Sequence, residues 1–343
     1  MGINYIKTAE CVTHAHPDKV CDQISDAVLD AYLKGDPFSR VAVEALGSHG
    51  CITVTGEVTS STSLSPDQVA EIAREVYRDC GYADLVGVAV HIVEQSREIA
   101  AAVDKDGAGD QGIMVGYACA ETEEMLPQEV VWARELTRAM GARDGKAQVT
   151  IQSDPPVVPL GKGDTHVKVV TSVCGYDEGV QEALRSVVAS IASAGSRDPA
   201  YKNIEWLENP NGIWTVGGFA ADAGLTGRKI VVDNYGPNVP VGGGAFSGKD
   251  PTKVDRSGAY MARKIAVDYL NKSGASEVFC HLAYIIGIPE PAMAVVSLDG
   301  HQERVTGYDL RPSAIIEALN LRNPIYRKTA KVGHFGNGWA WEN

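Results

Sequence analysis

The chain has 343 residues, 44% of them hydrophobic and 22% charged, which is the balance of a folded protein with a sizeable core and, by length, two or three domains. Its net charge of −13 sets the overall field against polyanions, so a nucleic-acid partner is excluded and any phosphate site must be a local gathering of Lys and Arg. Seven scattered cysteines without a C-x-x-C pair, no secretory leader pattern and no apolar run of about 18 residues point to the reducing cytoplasm and to no membrane partner.

From the amino terminus, His14-Ala-His-Pro-Asp-Lys19 sets an imidazole, a hard-metal ligand and a cation beside a helix start. The helix runs from Asp18 to Leu33, with Val20, Ile24, Ala27, Val28, Ala31 and Tyr32 on its apolar side. Asp18, Asp22 and Asp26 recur every four residues and, taken alone, describe a solvated acidic face. Two strands, Val41–Leu46 and Cys51–Val58, carry Glu44 and Glu57 and are joined as a hairpin by Gly47-Ser-His-Gly50. Ser65-Pro-Asp-Gln68 is a capping box that opens a helix through Val76. A strand at Gly87–Val93 leads to Gln95, then to a small-residue segment, and then to Gly107-Ala-Gly-Asp-Gln-Gly112, whose glycines let Asp110 and Gln111 approach a ligand.

The middle of the chain alternates in the same way, with a helix after Pro127, strands around Val149 and over Val167–Val173, and a helix from Glu178 to about Ala192. Asp144-Gly-Lys146 and Asp222-Ala-Gly-Leu-Thr-Gly-Arg-Lys229 add acid and base pairs, and Trp214 after a turn is either a stacking platform or a packed ring. Lys229–Tyr235 reads as a strand and Pro251–Leu270 as a helix. Between them, Gly243 to Lys249 fits the phosphate loop G-x-x-x-x-G-K, but Asp250 stands where that loop needs a hydroxyl, and Gly236-Pro-Asn-Val-Pro240 separates it from the preceding strand. Asp250 is better placed as a helix N-cap with Pro251 at the first position, which puts Lys249 and Lys253 on one helix face with Asp255 and Arg256 a turn along. Three recurring blocks suggest related subdomains by layout, without a sequence period.

In this order HPDKVCDQISDAVLDA, GAGDQGIMVGYA, DAGLTGRKIVVDNYG and GGGAFSGKDPTKVDRSGAY closely resemble the S-adenosylmethionine synthetases, also called methionine adenosyltransferases, and the resemblance covers nearly the whole chain. It implies an α+β fold of three similar, interleaved α/β subdomains in a pseudo-threefold arrangement, at residues 1–95, 109–222 and 223–343, with a shortened gating loop at 96–108. The implied activity makes S-adenosylmethionine from ATP and L-methionine: the sulfur attacks the ATP 5′ carbon, and the tripolyphosphate released is cleaved to pyrophosphate and phosphate. Two magnesium ions per site and potassium are the implied cofactors.

By the same resemblance His16 lies beside the ribose 5′ oxygen and stabilises the departing triphosphate, Lys146, Arg228, Lys229, Lys249 and Lys253 grip phosphates, and Asp18 and Asp255 ligate magnesium. Glu44 matches a potassium-binding carboxylate. Glu57, Gln95, Asp110 and Asp222 match the methionine pocket, with Lys253 beside it; Asp144 matches a ribose contact and Trp214 the ring stacked on adenine. The family pairs subunits into homodimers with shared active sites, and dimers pair again into tetramers, so His16, Glu57 and Asp110 are expected to face Lys249 and Lys253 across an interface. The chain departs from the usual motifs at His14 and Ala15, where Glu and Gly are common, and at Val241, Ile213 and Thr171-Ser-Val-Cys-Gly175. The rival readings are a P-loop-type phosphotransferase, which turns over ATP without methionine, and a divergent paralogue that binds nucleotide without catalysis.

Overall fold

The computed structural model describes residues 5–95, 107–154, 164–194 and 203–343. The first third gives strand β1 (Tyr5–Val12), helix α1 (Pro17–Gly35), strands β2 (Arg40–Ser48) and β3 (Cys51–Thr59), helix α2 (Pro66–Asp79) and strand β4 (Gly87–Glu94). The middle third repeats that order as β5 (Gly112–Cys119), α3 (Gln128–Ala139), β6 (Gly145–Asp154), β7 (Asp164–Val173), α4 (Glu178–Ala194) and β8 (Asn203–Glu208). The last third has β9 (Gly224–Leu225), α5 (Ile230–Asp233), α6 (Val254–Ser273), β10 (Glu277–Tyr284), β11 (Met293–Leu298), β12 (His301–Arg304), α7 (Pro312–Ala318) and α8 (Tyr326–Val332).

Local chemistry accounts for several of these boundaries. The β2–β3 turn places His49 at φ 41° and Gly50 at φ 79°, the left-handed pair that matches the twist of a two-residue hairpin. The capping box forms at α2, where the Ser65 hydroxyl accepts the Gln68 amide at 3.2 Å and the Gln68 side chain accepts the Ser65 amide at 2.8 Å. The strand expected over Lys229–Tyr235 is instead the single helical turn α5, closed by Asp233 N–H to Lys229 O at 2.8 Å. Its β-branched residues favour a strand, but the turn is what delivers Asp233 to the buried Lys19 ammonium at 2.6 Å.

The strands form three four-stranded sheets, ordered β1-β6-β7-β8, β5-β10-β11-β12 and β9-β2-β3-β4. Each sheet is completed by an edge strand from another third of the chain: β1 joins the middle sheet, β5 the last and β9 the first. This cyclic exchange is the interleaving that the resemblance implied. The first two thirds share a plan, an antiparallel hairpin followed by a helix and a strand parallel to the second arm. The last third departs from it, since β12 runs antiparallel to β11. Helix α1 buries Val20, Ile24 and Val28 completely, so its position is fixed by the core. The gating segment at 96–108 lies, apart from Gly107 and Ala108, outside the described residues. Among the described residues no helix is long and apolar enough to cross a membrane.

Candidate active site

Helix α1 begins where His16, at φ −61° and ψ 139°, caps it and Pro17 takes the first helical position. The His16 Nδ1 accepts the Asp18 amide at 3.2 Å, so the proton of the neutral ring sits on Nε2, the nitrogen left to meet a ligand. Burial, and then the Lys229 ammonium, push the His16 pKa down to about 4. The residue is an uncharged hydrogen-bond donor at neutral pH.

The aspartates of α1 do not form a solvated face. Asp18, Asp22 and Asp26 are all buried, and each accepts a loop amide: Leu225 at 3.0 Å, Gly227 at 2.9 Å and Gly248 at 2.7 Å respectively. Backbone N–H groups of two glycine-containing loops take the place of water, and a carboxylate satisfied this way can be buried. The helix thereby fixes the loop at 222–229 and the loop at 242–250, its three anchor points spread over about 12 Å of its axis. The four-residue spacing was the only sequence signal for the roles of Asp22 and Asp26.

Around Asp18 gather Lys229, in direct ion pair, and the Arg228 Nε at 3.5 Å. Burial opposes the Asp18 charge, but the Lys229 and Leu225 hydrogen bonds outweigh it and hold its pKa below the ordinary carboxylate value. Lys146, exposed on β6 opposite Val12, and Asp222, also exposed, both act on His16 through their charges. Asp144 is buried, which raises its pKa, and accepts the Gly218 amide at 2.9 Å. Trp214 stands 37% exposed. No sequence pattern marks Tyr82, yet its hydroxyl donates to the Ala15 carbonyl and its ring lies where a side chain at Gly218 would point, so it ties the His16 turn to the Asp144 side.

A second group forms at the start of α6. Lys249 bridges Ala42 of β2 in strand fashion, and its Nζ meets Asp255 at 2.6 Å. Asp250 is not the N-cap of α6. It is fully buried, accepts the Val41 amide at 2.7 Å and the Thr252 amide at 2.8 Å, and pairs with Lys253. Because its oxygens tie the loop to β2, the helix starts only at Val254, and Lys249 and Lys253 do not share a helix face. Glu57 lies opposite Ala42 on β3, so it and Lys249 flank the same residue. Gly112, two residues after Asp110, has its missing Cβ position 3.4 Å from the Asp255 carboxylate. Gln95 is buried at the end of β4, and Glu44 is exposed on β2 opposite Thr55.

Among the described residues no hydrogen bond or ion pair joins the His16, Asp18, Asp144, Lys146, Asp222, Arg228 and Lys229 group to the Lys249, Lys253 and Asp255 group. The expected division, with Glu57 and Asp110 on the His16 side, is corrected: strand register puts Glu57 beside the Lys249 segment, and the chain two residues past Asp110 passes Asp255.

Sequence models of S-adenosylmethionine synthetase match this chain in three parts, the N-terminal domain over residues 4–105, the central domain over 105–213 and the C-terminal domain over 216–343. The S-adenosylmethionine synthase of Sulfurovum sp. is 41% identical over 380 positions, covering 100% of this chain and 96% of the relative. The chain belongs to the S-adenosylmethionine synthetase family. S-adenosylmethionine synthase 2 of Rhodospirillum rubrum is 39% identical, over 98% of this chain and 95% of that relative, and the synthase of Salinibacter ruber is 41% identical over the same shares. The Sulfurovum alignment sets 380 positions against 343 residues, so at least 37 residues of that synthase have no counterpart here.

Magnesium favours one or two carboxylates completed by substrate phosphates and water. Asp18 and Asp255 are single carboxylates among cations, and no third acid, imidazole or thiol converges on either among the described residues. They fit an ion that arrives with phosphates. Glu44 is a lone exposed carboxylate, and it belongs to no group of three or more acids, imidazoles or thiols among the described residues.

Gly244 offers a direct probe of Asp255. A Cβ there would stand 2.8 Å from the Asp255 Cβ and closer still to the carboxylate, so Gly244→Ala must displace that side chain. The expected result is a severalfold rise in the magnesium concentration giving half-maximal turnover, with little change in Tm because Asp255 is only partly buried. An unchanged magnesium dependence would exclude Asp255 as a magnesium ligand.

Proposed function

We propose that the chain carries out its family's reaction, S-adenosylmethionine from ATP and L-methionine, at a site completed when these two groups meet from two copies. The observation that carries this reading is the neutral His16, its Nδ1 taken by the Asp18 amide and its ring acted on by the Lys229 and Lys146 charges, with Arg228 beside Asp18. Methionine sulfur is a competent nucleophile without activation, so the rate depends on aligning it with the 5′ carbon and on meeting the charge that grows on the tripolyphosphate. A site rich in cations and without an activated Ser or Cys suits that task.

In this reading His16 donates from Nε2 to the oxygen leaving the 5′ carbon. Lys146, Arg228 and Lys229 hold the phosphates from one copy, and Lys249 and Lys253 from the other. Lys229 exchanges Asp18 for phosphate, which frees that carboxylate. Asp144 takes the ribose and Trp214 covers the adenine. Glu57, Gln95, Asp110 and Asp222 surround methionine, the carboxylates receiving its ammonium group, with Lys253 beside it. Asp18 and Asp255 would hold two magnesium ions together with the phosphates, and those ions would supply charge neutralisation to the triphosphate before water cleaves it to pyrophosphate and phosphate. Glu44 would hold potassium together with oxygens of the second copy. The working unit is a homodimer, paired again into a tetramer, in the cytoplasm.

Given ATP, methionine, magnesium and potassium, the chain is expected to form S-adenosylmethionine, detected by mass; ATP hydrolysis without that product overturns the reading. Shared sites have their own test. His16→Asn and Lys249→Ala chains, each nearly inactive alone, are expected to regain activity when co-expressed, because a mixed dimer keeps one intact site. No recovery in isolated mixed dimers would place both groups in one chain's site.

A further inference from the structure

Between the end of β1, α3 and α8 lies a cavity of about 270 Å3 that neither His16 nor Asp18 lines. In a chain of net charge −13 its walls are basic. Lys19 is balanced there by Asp22 at 3.0 Å and Asp233 at 2.6 Å, but three further cations are not. Arg134 is buried and donates to the carbonyls of Phe335 at 2.6 Å and Asn234 at 2.9 Å, which satisfy its N–H groups without cancelling its charge. Arg138 meets the Asn337 side-chain oxygen at 2.9 Å, and Lys331 at the rim forms no ion pair among the described residues.

Thr13, on the same wall, is 2% exposed, yet its hydroxyl has no hydrogen-bond partner. A buried polar group left this way costs about 1–3 kcal/mol, which a ligand oxygen would remove. His14 also lines the cavity and adds no negative charge to it. The volume falls below the roughly 300–1,000 Å3 of pockets for drug-sized ligands, which favours a small anion.

We propose that this cavity is a second binding site, separate from the triphosphate site, for a phosphate-class oxyanion, with Thr13 as its buried hydrogen-bond donor and Arg138 and Lys331 as its adaptable cations. Arg134 supplies a fixed positive field behind them. The Thr13 carbonyl accepts the His16 amide at 3.1 Å, and the Thr13 amide donates to the Gly145 carbonyl at 3.0 Å. An anion seated on Thr13 therefore bears on the turn that carries His16 and on the start of the strand that carries Lys146.

The test is calorimetric titration of the whole chain with inorganic phosphate and, separately, with pyrophosphate, on the parent, Lys331→Gln and Thr13→Val. The expected result is a binding step, in whichever arm matches the natural anion, that Lys331→Gln weakens about tenfold, as loss of roughly 1.4 kcal/mol requires. Thr13→Val should weaken the same step, and both variants should keep the parent's initial rate of turnover in buffer without added phosphate or pyrophosphate. Lys331 is a surface residue, so its variant remains informative if Thr13→Val fails to fold. Titrations unchanged by Lys331→Gln in both arms overturn the site. So does loss of binding accompanied by loss of basal turnover in Lys331→Gln, which would assign the cation to the reaction itself.

Discussion

Lys249→Ala is expected to lower kcat by about 10²–10³-fold, the loss typical when one group that meets developing negative charge is removed. The methionine KM should stay close to the parent's, because the ammonium acts on the leaving triphosphate and not on the bound amino acid. Stability should hardly change. The Lys249–Asp255 pair, at 2.6 Å, is about a quarter exposed on each side, and partly solvated pairs of this kind contribute little. Steady-state kinetics with thermal unfolding separate the two effects. Turnover within about threefold of the parent would take Lys249 out of the reaction, and a large rise in KM at constant kcat would make it a ground-state contact.

Arg256→Met is expected to destabilise the chain by about 3–5 kcal/mol, because it leaves the Asp26 carboxylate buried without its countercharge. Both side chains are fully buried, joined by two hydrogen bonds of 2.7 Å, and the guanidinium lies 4.2 Å from the centre of the Tyr326 ring. The same guanidinium donates to the Lys249 carbonyl at 3.0 Å while Asp26 accepts the Gly248 amide, so the pair also sets the loop that carries Lys249. Urea unfolding should show the loss as a lower midpoint. Adding Asp26→Asn should recover part of it, since the stranded charge is then gone. A loss below about 1 kcal/mol would mean that water reaches Asp26 in the variant and that the pair does not hold the Lys249 loop.

What the sequence made legible was chemistry contained in a few adjacent residues. Ser65 to Gln68 states its own capping box, His49-Gly50 its own turn, and His16-Pro17 its own helix start. The four motifs also identified the family and most of the charged residues that surround the two loops. What remained hidden depended on partners far along the chain. Asp250 has the sequence of a helix cap, but Val41, brought alongside by β2, claims its carboxylate. The run Ile230–Asp233 has the composition of a strand, but no sheet edge receives it, and Lys19 draws Asp233 inward. Asp22 and Asp26 look like solvated surface until loops at 227 and 248 present amides to them. The partition of site residues into two groups follows from which segments border β2, and sheet order is not written in local spacing.

The exchange of β1, β5 and β9 among the three sheets has an evolutionary and practical consequence. The three domains that sequence comparison delimits are matching regions rather than separable bodies, since each sheet is finished by a strand encoded in a different third. Excising any one region would carry off a neighbour's edge and open a row of unpaired N–H and C=O groups, the surface that recruits unrelated strands. The chain is therefore a closed ring of mutual completion. Inheritance, truncation and recombination act on it as one object: a change in the short β9 is a change to the sheet that holds Glu44 and Glu57.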